Sequence, residues 1–393
     1  MQPAFTLATL PTFMTTGTFP ARAIEALGGP GAALFVGGCV RNAILGLPVT
    51  DVDVATTLLP QEVTQALRRA KIGVVPTGLA HGTVTAVEKG AHVEVTTLRR
   101  DVTTDGRRAT VAFTQDWSED AARRDFTMNT LLAAPDGRVF EPLGGGLADA
   151  RAGRVVFVGD PARRIAEDRL RVLRFFRMHA LYGRGEPDAQ ALAACREAAE
   201  ALDSLSRERV TAEVIKILEG AADPGTAAAR MWSCGVLTAL CGGAGASALL
   251  TRLTTLQTQH AAPSLPARLY AMAGGTRALE AHLRLPKAAL RAVAVLERCA
   301  HGPAISTPRA ARAATYRHGR EAAVQIALVQ SAAGRVPPDA LLAVLDSAQH
   351  WPIPRFPLTG HDLIAQGVPP GPALGRALTE AEAAWVDGDF GAL

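Results

Sequence analysis

One stretch limits what this chain can fold into more than any other: Leu34 to Val54, LFVGGCVRNAILGLPVTDVDV. The apolar run Leu34-Phe35-Val36 stops at Gly37-Gly38, and Val40 to Leu45 then reads as a helix with Arg41 near its start. Gly46 and Pro48 close that helix, and a second apolar strand opens with Asp51 and Asp53 built into it. Side chains alternate along a strand, so Asp51 and Asp53 project together while Val52 and Val54 turn to a core. Two carboxylates so close repel unless a cation lies between them, and hard divalent cations, Mg2+ above all, favour oxygen ligands. Backbone N–H groups at a Gly-Gly turn opening a helix suit a phosphate, with Arg41 beside it. Each half alone has an ordinary explanation, a tight turn or a solvated strand end. Together, on consecutive strands, they point to metal-assisted nucleotide chemistry.

The 393 residues leave room for two or more domains, and 48% hydrophobic content is ordinary for a globular protein. A net charge of +4 permits a nucleic-acid partner without demonstrating one. The five cysteines, Cys39, Cys195, Cys234, Cys241 and Cys299, include no Cys-x-x-Cys pair and are odd in number. That argues against a zinc site and a disulfide framework, and for a reducing compartment. The first twenty residues lack a basic segment followed by a continuous apolar core, and no apolar run is long enough to span a membrane. The expectation is a cytoplasmic protein without a membrane partner.

Taken in order, Met1 to Pro20 reads as loose, followed by a short helix around Ala21 to Leu27. After the opening unit come a helix, Pro60 to Ala70, and strands at Gly73–Pro76, Thr83–Glu88 and His92–Leu98. Glu94, between Val93 and Val95, is a candidate third metal-facing carboxylate. Arginines then crowd the chain at Arg99, Arg100, Arg107, Arg108, Arg123 and Arg124, with a turn expected at Asp105-Gly106. In Arg124-Asp125-Phe126-Thr127-Met128-Asn129, a carboxylate and an amide suit ribose hydroxyls, and the arginine suits a phosphate. Asp160-Pro161 starts a helix expected to run unbroken from Ala162 to Leu181. Ile165, Val172, Leu173, Phe176 and Ala180 share one arc of it, and Asp168, Arg171, Arg174 and Arg177 form a stripe on another. On spacing alone that stripe is a set of surface ion pairs worth about 0.2–0.5 kcal/mol each.

The order Gly37-Gly38-x-x-Arg41, short helix, Asp51-x-Asp53 resembles the first signature of the nucleotidyltransferase superfamily. The branch is that of bacterial class II CCA tRNA nucleotidyltransferases and poly(A) polymerases. Asn42 stands where that family usually has Asp, and it is expected to orient Arg41 through hydrogen bonds without the charge. The segment TTLRRDVTTDGRRATVAFTQDWSEDAARRDFTMN is similar to the family's loop and second motif, and EPLGGGLAD (Glu141 to Asp149) to its third. Glu167-Asp168-Arg169-Leu170-Arg171 is similar to the Glu-Asp-x-x-Arg signature, and the N-capped helix start Ser206-Arg207-Glu208-Arg209-Val210, then Glu213, to a bracing fifth motif. Leu358 to Leu363 and Gly367 to Gly375 are similar to the family's tail. His361-Asp362 lacks the other ligands that a metal phosphohydrolase needs. By motif the resemblance covers residues 30 to 220, and more weakly Thr359 to Phe390.

The resemblance implies an α+β N-terminal nucleotidyltransferase (polymerase-β-like) head with an antiparallel or mixed sheet, followed by an all-α neck, body and tail. The expected division is an N-terminal extension (1–30), a catalytic head (31–155), a neck with a base-reading helix (156–225), and a tRNA-binding body and tail (226–393). The implied reaction is template-independent transfer of CMP and AMP from CTP and ATP to the tRNA 3′ end, releasing pyrophosphate. Asp51 and Asp53, with Glu94, would hold Mg2+. Gly38, Arg41 and Arg124 would bind phosphates, and Asp125 with Asn129 the ribose. Asp168 would accept from the exocyclic amine of C or A while Arg171 donates to the ring edge beside it, with Arg174 and Arg177 in support or on phosphate. A poly(A) polymerase, or an enzyme adding only CC or only the last A, shares these motifs. From another class the alternative is a catalytically inactive RNA-binding protein. The Glu-Asp-x-x-Arg segment and the absence of a long basic C-terminal extension favour CCA addition.

Overall fold

The computed structural model describes residues 1–105, 108–242 and 247–391, which divide into two compact units, Met1–Leu205 and Ser206–Leu393. Arg107 and the expected turn at Asp105-Gly106 fall in part on residues 106–107, outside the described residues.

The first unit is built on ten strands: β1 (Phe5–Thr6), β2 (Ala33–Val36), β3 (Asp53–Thr56), β4 (Gly73–Gly78), β5 (Thr83–Glu88), β6 (Ala91–Thr97), β7 (Arg99–Asp105), β8 (Arg108–Phe113), β9 (Leu132–Ala133) and β10 (Arg138–Phe140). Eight of them form one sheet in the order β1-β10-β9-β2-β3-β6-β5-β4, and β7 and β8 make a separate hairpin. Every pairing in the sheet is antiparallel except β3 with β6, so the sheet is mixed, as expected. Its helices are α1 (Phe19–Ala26), α2 (Gly38–Leu45), α3 (Pro60–Arg69), α4 (Trp117–Ala122), α5 (Gly146–Ala152), α6 (Pro161–Glu167), α7 (Arg171–Tyr182) and α8 (Ala189–Glu197). Phe35, Val54, Val93 and Val95 are fully buried along β2, β3 and β6, which fixes the face each strand turns inward.

Three expectations need correcting. The first twenty residues are not loose: Phe5 and Thr6 pair with Val139 and Arg138, and Met14 is fully buried. Segments this short carry no periodic signal, and the sheet edge orders them. The second strand begins at Asp53 rather than Asp51, although Val52 O still accepts from Glu94 N at 3.3 Å. The helix from Ala162 to Leu181 is broken in two. Asp168 is extended (φ −154°, ψ 105°), and its Oδ1 accepts the N–H of Leu170 at 3.1 Å. A short acidic side chain competes for backbone N–H groups and restarts a helix as readily as it continues one.

The second unit is helical throughout its described elements, from α9 (Arg207–Gly220) to the C-terminal helix Pro372–Asp387. Ser206 caps α9 by accepting the N–H of Arg209, as its sequence led one to expect. Arg268, 4% exposed, donates to Gln257 Oε1 (2.9 Å) and to Leu218 O near the end of α9. Asp362 accepts the N–H and hydroxyl of Thr359, both at 2.7 Å, so it caps the short helix Gly360–Ala365.

Candidate active site

Backbone geometry shapes the cradle first. Gly37 caps α2 at φ +74°, ψ −127°, a conformation open to glycine and costly to residues with a Cβ. A Cβ at Gly37 would stand 3.4 Å from Arg124 Nη1, and one at Gly38 3.7 Å from Arg41 Nη2. Two guanidinium groups therefore flank the N-terminus of α2, where free N–H groups and the helix dipole favour an anion.

Arg41 is buried and held from three sides. Its Nη1 donates to Asn129 Oδ1 (2.6 Å), its Nη2 to Tyr182 Oη (2.7 Å) and Asn42 Oδ1 (2.9 Å), and its Nε to Asn42 Oδ1 (3.2 Å). The guanidinium carbon lies 3.8 Å from the Tyr182 ring centroid. Asn42 also donates to Pro48 O at 2.7 Å. Asparagine thus orients the arginine by hydrogen bonds, without the charge. Burial draws Arg41 below its usual pKa, Tyr182 opposes this, and the charge of Arg177 adds to it.

Asp125 joins the second motif to α7. Its Oδ1 accepts from Phe126 N (2.9 Å) and Asn129 Nδ2 (3.0 Å), and its Oδ2 from Arg174 Nε (2.7 Å) and Nη2. Burial pushes this carboxyl up, but Arg174 and the Asn129 and Phe126 bonds outweigh it and hold it below the usual range. Phe126 packs against Phe157 (4.8 Å) and Phe175 (6.4 Å), which pins the motif to α7. A continuous chain, Arg174–Asp125–Asn129–Arg41, results. Behind it, a Cβ at Gly146 would meet Thr127 O at 2.5 Å, so this glycine of the third motif serves close packing, while Gly144 and Gly145 stand in open space at φ +75° and +78° and serve the turn.

Arg124 reaches the cradle from a different anchor. Its Nε (3.3 Å) and Nη2 (2.9 Å) donate to Asp120 Oδ2, while Asp120 Oδ1 accepts from Arg123 Nε (2.9 Å) and from the backbone N–H of Arg99 (3.3 Å). Asp120 was not singled out by sequence reasoning. The available signal was its position three and four residues before two arginines on one helical turn. Tyr182 was missed too, since three tyrosines in the chain set no pattern.

Asp53 is half-buried and Asp51 and Glu94 are exposed. Asp53 pairs in register with Glu94 across the parallel β3–β6 contact. Burial raises the Asp53 pKa, Glu94 and Asp51 raise it further, and Arg124 opposes them. Among the described residues no three His, Cys, Asp or Glu side chains are grouped to hold a metal, so Asp51, Asp53 and Glu94 do not form a closed cage. A carboxylate pair beside the Gly37-Gly38 turn, only partly offset by Arg124, fits a hard divalent cation, which takes one or two carboxylates and completes its shell with water and substrate phosphates.

Asp168 and Arg171 straddle the turn between α6 and α7. Arg171 Nη1 donates to Glu167 Oε2 (2.6 Å) and Arg164 O (2.9 Å), and its Nη2 to Arg123 O (3.2 Å), which links this turn to the second motif. Burial pushes the Glu167 carboxyl up, and its bonds from Arg171 and Arg164 outweigh that and hold it low.

Residues 33–156 match the family described as the poly A polymerase head domain, which sets the class: the fold is that of a nucleotidyltransferase. The CCA-adding enzyme of Limosilactobacillus fermentum is 34% identical over 373 residues, covering 91% of this chain and 89% of that protein. The chain belongs to this family, the CCA-adding tRNA nucleotidyltransferases. Human mitochondrial CCA tRNA nucleotidyltransferase 1 is 43% identical over 190 residues, 47% of this chain and 43% of its own length. The structure resembles the crystal structure of the Bacillus stearothermophilus CCA-adding enzyme in complex with CTP, with a TM-score of 0.72, 28% identity, and 94% and 91% of the two chains covered. The fold alone is shared with the Thermotoga maritima CCA-adding enzyme complexed with tRNA (TM-score 0.65, 17% identity, 96% and 93% covered). Nucleotidyltransferases of this family use a divalent metal. Among the described residues no helix is long and apolar enough to cross a membrane.

Proposed function

We propose that this enzyme completes tRNA 3′ ends by adding C, C and A from CTP and ATP. The observation that carries the reading is the convergence of Arg41 and Arg124 on the Gly37-Gly38 turn, with Asp53 under the charge of Arg124. In the transfer, the tRNA 3′-oxygen bonds to the α-phosphorus, the bond from that phosphorus to the β-phosphate oxygen breaks, and pyrophosphate leaves. Arg41, Arg124 and the N–H groups of α2 hold the triphosphate and take up its charge. Asp125 and Asn129, steadied by Arg174 and Arg41, meet the ribose. Asp51 and Asp53 hold Mg2+, with Glu94 adding negative charge, and the bound ion supplies the positive charge that eases deprotonation of the 3′-hydroxyl and departure of pyrophosphate. Asp168 and Arg171 read the amine and ring edge shared by C and A, in place of a template.

The functional division we adopt is an extension (1–30), a head (31–155), a neck (156–225) and a tRNA-binding body and tail (226–393), in a cytoplasmic setting that suits five free cysteines. The test uses purified protein, Mg2+ and tRNAs ending before CCA, after C and after CC, each with CTP, ATP or both. Addition of CCA followed by a stop is expected. An ever-lengthening A tail would make the enzyme a poly(A) polymerase, and failure at one step would mark a CC- or A-adding enzyme.

A further inference from the structure

We propose that Asp120 is a positioning residue for the incoming triphosphate: it aims Arg124 at the cradle and anchors the base of the arginine-bearing β7–β8 hairpin on the same carboxylate. The inference rests on the reading of Arg124 as a phosphate ligand.

An Asp–Arg pair four residues apart on an exposed helix contributes little, because water screens it and long side chains wander. Asp120 is 3% exposed. Its two oxygens divide the work. Oδ2 takes Arg124 through two nitrogens, a fork that fixes the plane of the guanidinium as well as its position. Oδ1 takes Arg123 and the N–H of Arg99, the first residue of β7. Burial pushes Asp120 up, yet Arg124 and Arg123 outweigh it and keep the carboxyl below the usual range, so it remains charged at neutral pH. The Nη1 of Arg124 is the atom that would lie 3.4 Å from a Cβ on Gly37. With Nε and Nη2 turned to Asp120, Nη1 is the nitrogen on the cradle side.

The hairpin base is tied down nearby by independent contacts. Arg99 donates to His81 O, Thr114 N donates to Leu98 O at 2.9 Å, and a Cβ on Gly82 would stand 2.8 Å from Phe113 Cε1. Asp120 is the side chain whose bonds reach both this base and the phosphate arginine. It touches no reacting atom, so its loss should act through Arg124 and register as weaker triphosphate binding.

The experiment measures KM for CTP and ATP at saturating tRNA, and KM for tRNA at saturating nucleotide, in Asp120→Asn, Arg124→Ala and the double variant. Asp120→Asn is expected to raise both nucleotide KM values roughly tenfold, within the hundredfold that a 1 Å misplacement can cost. The tRNA KM and the preference for CTP over UTP should stay at wild type, a split that a general loss of structure would not produce. The double variant should match Arg124→Ala within about twofold, because both changes remove one function. Additive effects, or a tRNA KM that rises in step, would overturn the positioning role. If Arg124→Ala raises nucleotide KM while Asp120→Asn does nothing, the positioning role alone fails. If Arg124→Ala itself leaves nucleotide KM unchanged, the phosphate reading fails, and this inference with it. Should Asp120→Asn not fold, Arg124→Lys decides: lysine keeps the charge but lacks the fork, and a wild-type nucleotide KM would overturn the proposal.

Discussion

Asn42 and Asp53 show how much a single side chain decides here. Asn42 spends its oxygen on Arg41 and its nitrogen on Pro48 O, so aspartate could replace the first bond but not the second. Asn42→Asp is therefore expected to stay within about threefold of wild-type kcat/KM, and Asn42→Ala, which leaves a buried guanidinium short of a partner, to lose tenfold or more, the scale of about 1–3 kcal/mol for a stranded buried group. Steady-state kinetics separates the two. Asp53 runs the other way. Its raised pKa means that, without metal, the folded state penalises its charge, and the penalty grows as pH rises through the folded value. Asp53→Asn should abolish nucleotide addition yet leave the metal-free melting temperature unchanged or higher. Mg2+ with CTP should raise the melting temperature of the wild type and not of the variant, since a ligand stabilises only the form that binds it. A variant that gains stability from Mg2+ and CTP as the wild type does would remove Asp53 from the metal site.

At the scale of elements, three carboxylates tie the second motif and its surroundings together: Asp125, buried, and Glu167, half-buried, bond to α7, and Asp120, buried, bonds to Arg123 and Arg124. Asp120, Asp125 and Glu167 all titrate below their usual range in the folded state. A depressed carboxylate contributes stability that is fully present above its unfolded pKa, about 3.9–4.3, and is lost as pH falls through the lower folded value. Urea midpoints should hold between pH 7 and about 5 and fall steeply below about 4, with a shallower fall in Asp125→Asn; equal slopes would mean Asp125 does not contribute. The same elements show what could be read beforehand. Strands Thr83–Glu88 and His92–Leu98 were legible because apolar alternation over six or seven residues specifies a face. The cradle was legible because Gly-Gly, Arg41 and the aspartates lie close in sequence. The break at Asp168 was not, because no Gly or Pro marks it and the Leu170 N–H that its carboxylate accepts competes with helix on nearly equal terms. Asp120 pairs locally with Arg123 and Arg124, but on spacing such pairs look like surface ion pairs, and its bond from Arg99 spans 21 residues. Tyr182 meets Arg41 across 141 residues, and no local period reports such contacts.

The whole molecule divides at Leu205/Ser206, and the second unit carries its own test. Its C-terminal helix is held by an aromatic cluster in which Trp385, 4% exposed, meets Tyr316 (5.6 Å), Phe356 (5.5 Å) and Phe390 (4.9 Å). Around the cluster, Arg312 pairs with Asp389, and Tyr316 donates to Glu382. Ion pairs at this level of exposure add little, so the packing of Trp385 carries most of the attachment. Truncating a buried tryptophan costs about 3–5 kcal/mol, and for a unit of this size each kcal/mol shifts the melting temperature by about 2–4 °C. Trp385→Ala should thus lower the melting transition of the second unit by roughly 6–20 °C. Because the cradle, the carboxylates and the α6–α7 turn all lie in the first unit, CTP affinity should remain at wild type while the KM for tRNA rises. Calorimetry with and without CTP, alongside kinetics with CTP and tRNA varied separately, reads both. A loss of CTP affinity in step with the fallen transition would show that the two units unfold as one cooperative block, and that the triphosphate site depends on the tail for its stability.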